Sequence, residues 1–245
     1  MNENKLAKLE AATVYGERSK RRVKDFNHLN TLAKKGQIVF IGDSIIEFWP
    51  TGELFAGLKE KTGLEVYNRG IDGDTSNRML ERIEANVCSV APKALYILIG
   101  TNDFIVKFPT EYTIENIKKT IEAVKLHCPD CTVFIQSLLP VNKELDKAMV
   151  SSRKNKKIIA FNDELRRLVL NLGCIYVDVF EQMLDETDNF SAEYSYDGLH
   201  PSVTGYIRLS EIITPLIAAK AAPPAPAAEA PLTISEISGD PPAEG

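Results

Sequence analysis

Length, composition and charge are those of an ordinary globular protein. The chain has 245 residues, 44% hydrophobic and 26% charged, which suits one large α/β domain. Apolar runs stay short of the ~18 residues that a membrane span needs, and the start MNENKLAKLE lacks the apolar core of a signal peptide. The net charge is −5, and much of it lies beyond residue 220. A nearly neutral body gives no electrostatic basis for nucleic-acid binding. We therefore expect a cytoplasmic protein without a membrane span.

Residues 1–35 have the pattern of a helical extension. Apolar residues recur at helical intervals in a highly charged segment, at Leu6, Leu9, Val23, Phe26, Leu29 and Leu32. We predict helix over residues 4–34, packed on the rest of the chain by a narrow apolar stripe. The basic run from Arg18 to Lys24 is interpreted as the solvated face of that helix.

Five apolar runs predict the strands of one sheet. The run at 38–41 is short and wholly apolar, three mainly apolar runs follow at 94–99, 132–138 and 175–179, and a weaker one lies at 64–68. Runs that are apolar on both faces are typical of parallel strands covered by helices on each side.

Helical patterns separate these runs. They are formed by Met79, Ile83 and Val87; by Ile114, Ile117, Ile121 and Val124; by Ile158, Phe161, Leu165, Leu168 and Leu172; and by Ile207, Ile212 and Leu216. The alternation predicts a doubly wound α/β sandwich with about five parallel strands. We expect this domain to span residues 36–219. The acidic, Pro- and Ala-rich segment 220–245 is predicted to be a disordered tail.

Polar groups follow four of the predicted strands. They are Gly42-Asp43-Ser44, Asp72-Gly73-Asp74, Gly100-Thr101-Asn102-Asp103 and, after a loop, Asp197-Gly198-Leu199-His200. Ligands of open α/β sheets bind beyond the carboxyl ends of the strands. We therefore expect all four groups to meet at one rim.

The residue types at this rim match the needs of acyl transfer. A serine hydroxyl becomes a nucleophile when a base takes its proton. Of the three histidines, His28 lies in the extension, His127 closes a helix, and His200 alone lies at the rim. Asp197 is close enough in sequence to accept the Nδ1–H of His200, which leaves Nε2 for Ser44. The predicted catalytic residues are Ser44, Asp197 and His200.

An oxyanion also needs preorganised hydrogen-bond donors. The candidates are the backbone N–H groups of Ser44 and Gly73 and the side-chain amide of Asn102. Glycine suits this role because its backbone can approach a ligand without a Cβ.

Together the four groups resemble blocks I, II, III and V of the SGNH (GDSL) hydrolases, over roughly residues 36–217. The resemblance is closest to the platelet-activating-factor acetylhydrolase-like esterase and lysophospholipase branch. It implies a three-layer, flavodoxin-like α/β/α fold and ester hydrolysis without metal or cofactor. It also implies Ser44 as nucleophile and first oxyanion donor, with Gly73 and Asn102 as the others, and Asp197 with His200 completing the triad. Ile45 stands where the family name has leucine.

The substrate and its contacts are less defined. Asp43, Trp49, Phe104 and Leu139 are predicted substrate contacts, although the apolar ones could equally be core, and Arg69 or Arg78 could meet an anionic substrate. We expect a small-molecule ester with a short acyl chain. A sugar O-acetyl ester, a lysophospholipid or a thioester stays open, as do a catalytically silent binding module and a homodimer. Cys128-Pro-Asp-Cys131 has metal-site spacing but lacks a second half, so no metal is predicted.

Overall fold

The computed structural model describes residues 3–13 and 15–221, so the predicted tail lies outside the described residues from residue 222 onward. One five-stranded parallel sheet organises this part of the chain, in the spatial order β2-β1-β3-β4-β5. The strands are β1 (Ile38–Gly42), β2 (Val66–Gly70), β3 (Ala94–Leu98), β4 (Thr132–Gln136) and β5 (Ile175–Val177). This flavodoxin-like order confirms the predicted fold class and places the topological switch point between β1 and β3.

The sheet lies in the hydrophobic core. Every residue of β1 and β3 is buried, because each of these strands has a neighbour on both sides and helices on both faces. Their Ile, Val, Leu, Phe and Tyr side chains supply much of the buried apolar surface. The shorter β5 forms one edge and is only partly buried.

Helices cover both faces of the sheet. Their bounds are α1 (Glu3–Ala12), α2 (Glu17–Leu32), α3 (Ser44–Glu47), α4 (Thr51–Leu54), α5 (Ala56–Thr62), α6 (Ser76–Glu81), α7 (Ile83–Asn86), α8 (Asp103–Val106), α9 (Thr110–His127), α10 (Lys147–Val150), α11 (Asn155–Asn171) and α12 (Val203–Ala221), with 3-10 turns at Cys88–Val90 and Glu181–Met183. Helix α12 packs against α5, whereas α9 contacts α6, α7 and α11, and α2 contacts α7. The helices thus fall into two layers, one on each face of the sheet. Right-handed crossovers explain this division, because the chain moves toward one edge of the sheet between β1 and β2 and toward the other edge in the later connections.

Two helical predictions need correction. The helix predicted through Met79, Ile83 and Val87 is interrupted at Arg82, where the backbone leaves helical geometry between α6 and α7. In α12 the predicted stripe residues Ile207 and Leu216 are 41% and 40% exposed, whereas Leu209, Ile213 and Ile217 are buried. Apolar residues of α12 lie on every side of the helix, so periodicity alone does not identify its buried face.

The N-terminal segment is helical as predicted, but its mode of packing is not the predicted one. Helix α1 buries no side chain, and α2 buries Phe26 while Leu29 and Leu32 are 51% and 85% exposed. Polar contacts attach the segment instead. In one of them, the Arg69 guanidinium donates to Oδ1 of Asn30 at 2.7 Å and stacks on the Phe26 ring.

Candidate active site

Ser44 begins α3 directly after β1, at the carboxyl edge of the sheet beside the switch point. Its Oγ lies 3.0 Å from Nε2 of His200. Close crossing of α3 over the end of β2 requires glycine there, because a Cβ on Gly70 would lie 2.2 Å from the backbone nitrogen of Glu47. The structure thus presents the serine on a tight strand-to-helix turn, within hydrogen-bond reach of an imidazole.

The imidazole of His200 is oriented by Asp197. Nδ1 of His200 lies 2.8 Å from Oδ2 of Asp197, and Oδ1 of Asp197 accepts the backbone N–H groups of His200 at 2.7 Å and Leu199 at 2.9 Å. Partial burial raises the pKa of this carboxyl, but these hydrogen bonds outweigh burial and hold the pKa below its ordinary value. An ionised Asp197 keeps the imidazole proton on Nδ1, so Nε2 can accept a proton.

The loop carrying Asp197 and His200 is fixed at several points. Ser195 is fully buried, and its Oγ donates to the carbonyl of His200 at 2.8 Å and accepts the N–H of Gly198 at 2.9 Å. The N–H of Asn142 donates to the carbonyl of Gly198 at 2.9 Å. Gly198 has φ +72°, and a Cβ there would lie 2.0 Å from the carbonyl oxygen of Asn142. Side chains that sequence motifs do not reveal therefore hold this loop.

Gly73 lies in a tight turn after β2. Its φ is +76°, in the left-handed region that favours glycine, and the turn is closed by the N–H of Asp74 donating to the carbonyl of Ile71 at 3.0 Å. No described residue accepts a hydrogen bond from the N–H of Gly73. The same holds for Ser44, because the first N–H of a helix has no partner inside the helix. Both donors are thus free to bind an anionic oxygen.

The amide of Asn102 is held from two sides. Its Nδ2 donates to the carbonyl of Asp74 at 3.0 Å, and its Oδ1 accepts Nη2 of Arg153 at 2.9 Å. One N–H of the amide remains for a ligand. Gly73 and Asn102 line the same pocket, so the structure brings two of the predicted donors together. Arg153 was missed by the sequence interpretation, because nothing in its local pattern connects it to the rim.

Asp74, next to Gly73, is fully buried and fixes the turn after β2. It forms a two-point ion pair with Arg82, whose Nε and Nη2 lie 2.9 and 2.7 Å from Oδ2. Arg82 also donates to the carbonyl of Arg69 at 2.8 Å. The helix break at Arg82 thus coincides with the residue whose side chain is bound to the turn.

Asp43 does not contact the rim, which corrects its predicted substrate role. It is fully buried, and its Oδ1 caps α3 by accepting the N–H of Ile45 at 3.0 Å. Oδ2 has no hydrogen-bond partner among the described residues. Burial raises the pKa of Asp43 to about 7, and the Asp74 and Asp103 carboxyls contribute to the rise.

The apolar side chains predicted to contact substrate lie mainly in the core. Trp49 is 2% exposed, and its indole N–H donates to Oγ of Ser210 at 3.1 Å. Leu139 is 5% exposed. Phe104 is partly buried and packs edge-on against Phe161, with ring centroids 5.8 Å apart. Trp49 and Leu139 are therefore core residues, in keeping with the alternative interpretation given above.

Phe48 is the aromatic residue that does reach the site. It is 49% exposed, and its ring centroid lies 5.7 Å from that of His200. Its position four residues after Ser44 could have predicted this placement, because residues separated by four share one face of a helix.

Arg78, a proposed anion contact, is used structurally. Its Nε donates to the carbonyl of Thr13 at 2.7 Å and its Nη1 pairs with Glu81 at 2.6 Å. Within residues 3–13 and 15–221, no cluster of three or more His, Cys, Asp or Glu side chains has an arrangement suited to a metal ion, and the four cysteines are free thiols. In the same ranges no helix has the length and apolarity of a membrane span.

Comparisons with known proteins identify the family of the chain. Residues 40–208 match the model of the GDSL-like lipase/acylhydrolase family. A solved structure from Streptococcus pneumonia, described as a candidate platelet activating factor, shares 30% identity at a TM-score of 0.77, covering 89% of this chain and all of that one.

Two curated proteins are also similar. An N-acylneuraminate cytidylyltransferase from Escherichia coli is 28% identical over 77% of this chain, which spans only 42% of that protein's length. An acetylxylan esterase from Geobacillus stearothermophilus is 23% identical over 71% of this chain and 90% of its own. The chain belongs to the GDSL-like lipase/acylhydrolase family and is a hydrolase of the esterase type.

Proposed function

We propose that the protein is a metal-independent serine esterase that hydrolyses esters of short acyl groups. The hydrogen-bonded series Asp197–His200–Ser44 carries the proposal, because its distances of 2.8 and 3.0 Å suit a base-activated nucleophile. The family membership and the similarity to an acetylxylan esterase support it.

The first half-reaction forms an acyl-enzyme. Oγ of Ser44 attacks the ester carbonyl carbon while Nε2 of His200 takes the hydroxyl proton. The resulting imidazolium is stabilised by Asp197 and returns the proton to the leaving alcohol as the ester C–O bond breaks. In the second half-reaction, His200 takes a proton from water, hydroxide attacks the acyl carbon, and the acid leaves as Oγ of Ser44 recovers its proton.

The negative oxygen formed in both steps needs stabilisation. The free N–H groups of Ser44 and Gly73 and the remaining amide N–H of Asn102 are suited to bind it. Donors held before the reaction starts need no reorganisation, which is why such groups contribute strongly to catalysis. The bond from Arg153 to Oδ1 fixes the orientation of the Asn102 amide.

A short acyl group fits the surroundings of Ser44. Each buried methylene contributes about 0.8 kcal/mol, so a long-chain enzyme needs an extended apolar groove or lid. The loops after the rim strands are short and polar, and the segment after β5 is rich in acidic residues. We therefore expect acetyl and butyryl esters to be better substrates than palmitoyl esters.

The Ser44→Ala variant tests the mechanism. We expect a loss of about 10⁴-fold or more in kcat/KM for p-nitrophenyl acetate with an unchanged melting temperature. Ser89→Ala, at an exposed serine of the 3-10 turn, is the matched control. A folded Ser44→Ala protein with near-wild-type turnover would overturn the proposal. If wild-type protein neither hydrolyses esters nor reacts with an organophosphonate, the binding-module alternative replaces it.

A substrate series tests the acyl preference and separates the remaining alternatives. p-Nitrophenyl esters from acetate to palmitate vary the acyl length at a fixed leaving group. Acetylated sugars, an acetylated phospholipid and acetyl-CoA vary the alcohol or thiol at a fixed acyl group. An optimum at ten carbons or beyond would favour a lipase instead.

A further inference from the structure

A pocket of about 360 Å³ lies between the turn after β2 and the junction of α1 with α2. This volume is within the range of small-molecule sites. One wall contains Gly73, Thr75 and Asn102, and the opposite wall contains Thr13, Tyr15, Gly16 and Ser19. The N-terminal segment, expected to be only a packed extension, therefore faces two of the proposed oxyanion donors.

We propose that this pocket binds the alcohol part of the ester, and that this alcohol carries free hydroxyl groups or is a sugar. The inference rests on the proposed esterase function. The N-terminal segment is then a specificity-determining wall of the active site.

The position of the pocket supports this assignment. It borders Gly73 and Asn102, so a group joined to the carbonyl that these residues would bind can extend into it. An acetyl group supplies one methyl group beyond the carbonyl and cannot fill about 360 Å³. For a short acyl group, the alcohol is therefore the part of the substrate large enough to occupy the pocket.

The lining of the pocket is mixed, and its free polar groups are suited to ligand hydroxyls. The Ser19 hydroxyl and the Asp72 carboxylate line it and have no hydrogen-bond partner among the described residues, so both can bind ligand hydroxyls. Ala12, Ile105 and Val106 supply the apolar part of the lining.

Polar contacts hold the wall in place although α1 buries no side chain. The Tyr15 hydroxyl donates to Oδ1 of Asp74 at 2.6 Å, which ties the junction directly to the turn that carries Gly73. Arg78 holds the carbonyl of Thr13, and the Tyr112 hydroxyl donates to Glu10 at 2.5 Å. The wall therefore has a defined position relative to the donors.

Filling the pocket tests the proposal. A Cβ at Gly16 meets nothing within 4 Å, so Gly16→Leu places a side chain in the pocket without a backbone clash. Ser19→Leu fills the same space from within α2 and serves if Gly16→Leu does not fold. Gly57→Leu in α5 is the matched control, because a Cβ there also meets nothing within 4 Å.

Two substrates with the same acyl group provide the readout. For xylose tetra-acetate we expect kcat/KM to fall by about 10-fold or more, mainly through KM, because a filled pocket excludes the alcohol. For methyl acetate, whose one-carbon alcohol need not enter the pocket, we expect a change within about twofold. Gly57→Leu should leave both values unchanged.

Four outcomes would overturn the inference: an unchanged xylose tetra-acetate rate in both filled variants, equal losses for the two substrates, a selective loss for longer acyl chains, or a wild-type protein that hydrolyses p-nitrophenyl acetate but no sugar acetate. The proposed esterase function survives all of them, because it depends on Ser44→Ala and not on the pocket.

Discussion

At the scale of single residues, Arg153 is a buried cation that forms no ion pair within the described parts of the chain. It is 3% exposed, and its donors are used by the carbonyl of Thr101 at 3.0 Å and by Oδ1 of Asn102 at 2.9 Å. Burial lowers the pKa of its guanidinium, with the Asp43 carboxyl opposing the shift. An arginine stays charged in proteins, so its positive field acts on the Asn102 amide. We infer that Arg153 is a positioning residue for this donor.

A double-mutant cycle checks that role. We expect Arg153→Met to lower kcat for p-nitrophenyl acetate by about 10- to 100-fold with little change in KM, because the donor acts on the transition state. Arg153→Lys should recover part of the rate. In an Asn102→Ala background the same Arg153→Met change should cost less than about threefold. An equal loss of kcat on Arg153→Met in the wild-type and Asn102→Ala proteins would show a purely structural role. Arg166→Met, at an exposed arginine, is the control.

Asp43 gives a pH-dependent prediction for stability. Its pKa is raised to about 7 by burial in the folded protein, against about 3.9 in an unfolded chain. The folded state therefore binds the proton more tightly, and the free energy of unfolding falls as pH rises from about 4 to about 7. Asp43→Asn keeps an oxygen for capping α3 and removes this titration. We expect the melting temperature of the variant, minus that of wild type, to become more positive between pH 4 and pH 8. A difference that does not change with pH would contradict the assignment.

At the scale of elements, the loop carrying His200 depends on the close approach of Gly198 to Asn142. This contact, together with Ser195, holds the imidazole over Ser44 although the loop belongs to no helix or strand.

Apolar runs predicted all five strands within two residues, because buried parallel strands have a one-dimensional signature. The break at Arg82, the buried face of α12 and the polar attachment of the N-terminal helices depend on side chains distant in sequence, and no local pattern could predict them.

Gly198→Ala should damage both stability and activity. A Cβ there would lie 2.0 Å from a carbonyl oxygen at a φ of +72°, so the loop must move and carry Asp197 and His200 with it. We expect a lower melting temperature and a much reduced kcat at temperatures where the variant is folded. Gly173→Ala is the control, since Gly173 has φ +64° and nothing within 4 Å of a Cβ. Equal effects of the two substitutions would indicate backbone strain alone.

At the scale of the whole molecule, the proposed site was predictable because its residues follow four strands of one parallel sheet. Topology alone then gathers Ser44, Gly73, Asn102 and His200 at one edge. What supports them was not predictable, since Arg153, Ser195 and Tyr15 come from a helix flank, a loop and the N-terminal segment. Their roles exist only in three dimensions.

The distance along the chain between Ser44 and His200 has a consequence for folding. The two side chains are 156 positions apart, so the nucleophile meets its base only after the last strand and the loop beyond it have folded. Trp49 is the single tryptophan, and its ring contacts Tyr206 of α12 at a centroid distance of 5.2 Å. Its fluorescence therefore reports docking of the C-terminal helix that follows His200. During refolding from urea, we expect ester hydrolysis to recover with tryptophan fluorescence and not before it. Activity that returned ahead of the fluorescence change would mean that the base reaches Ser44 without α12, whereas joint recovery would show that the Ser44–His200 contact forms only when α12 docks.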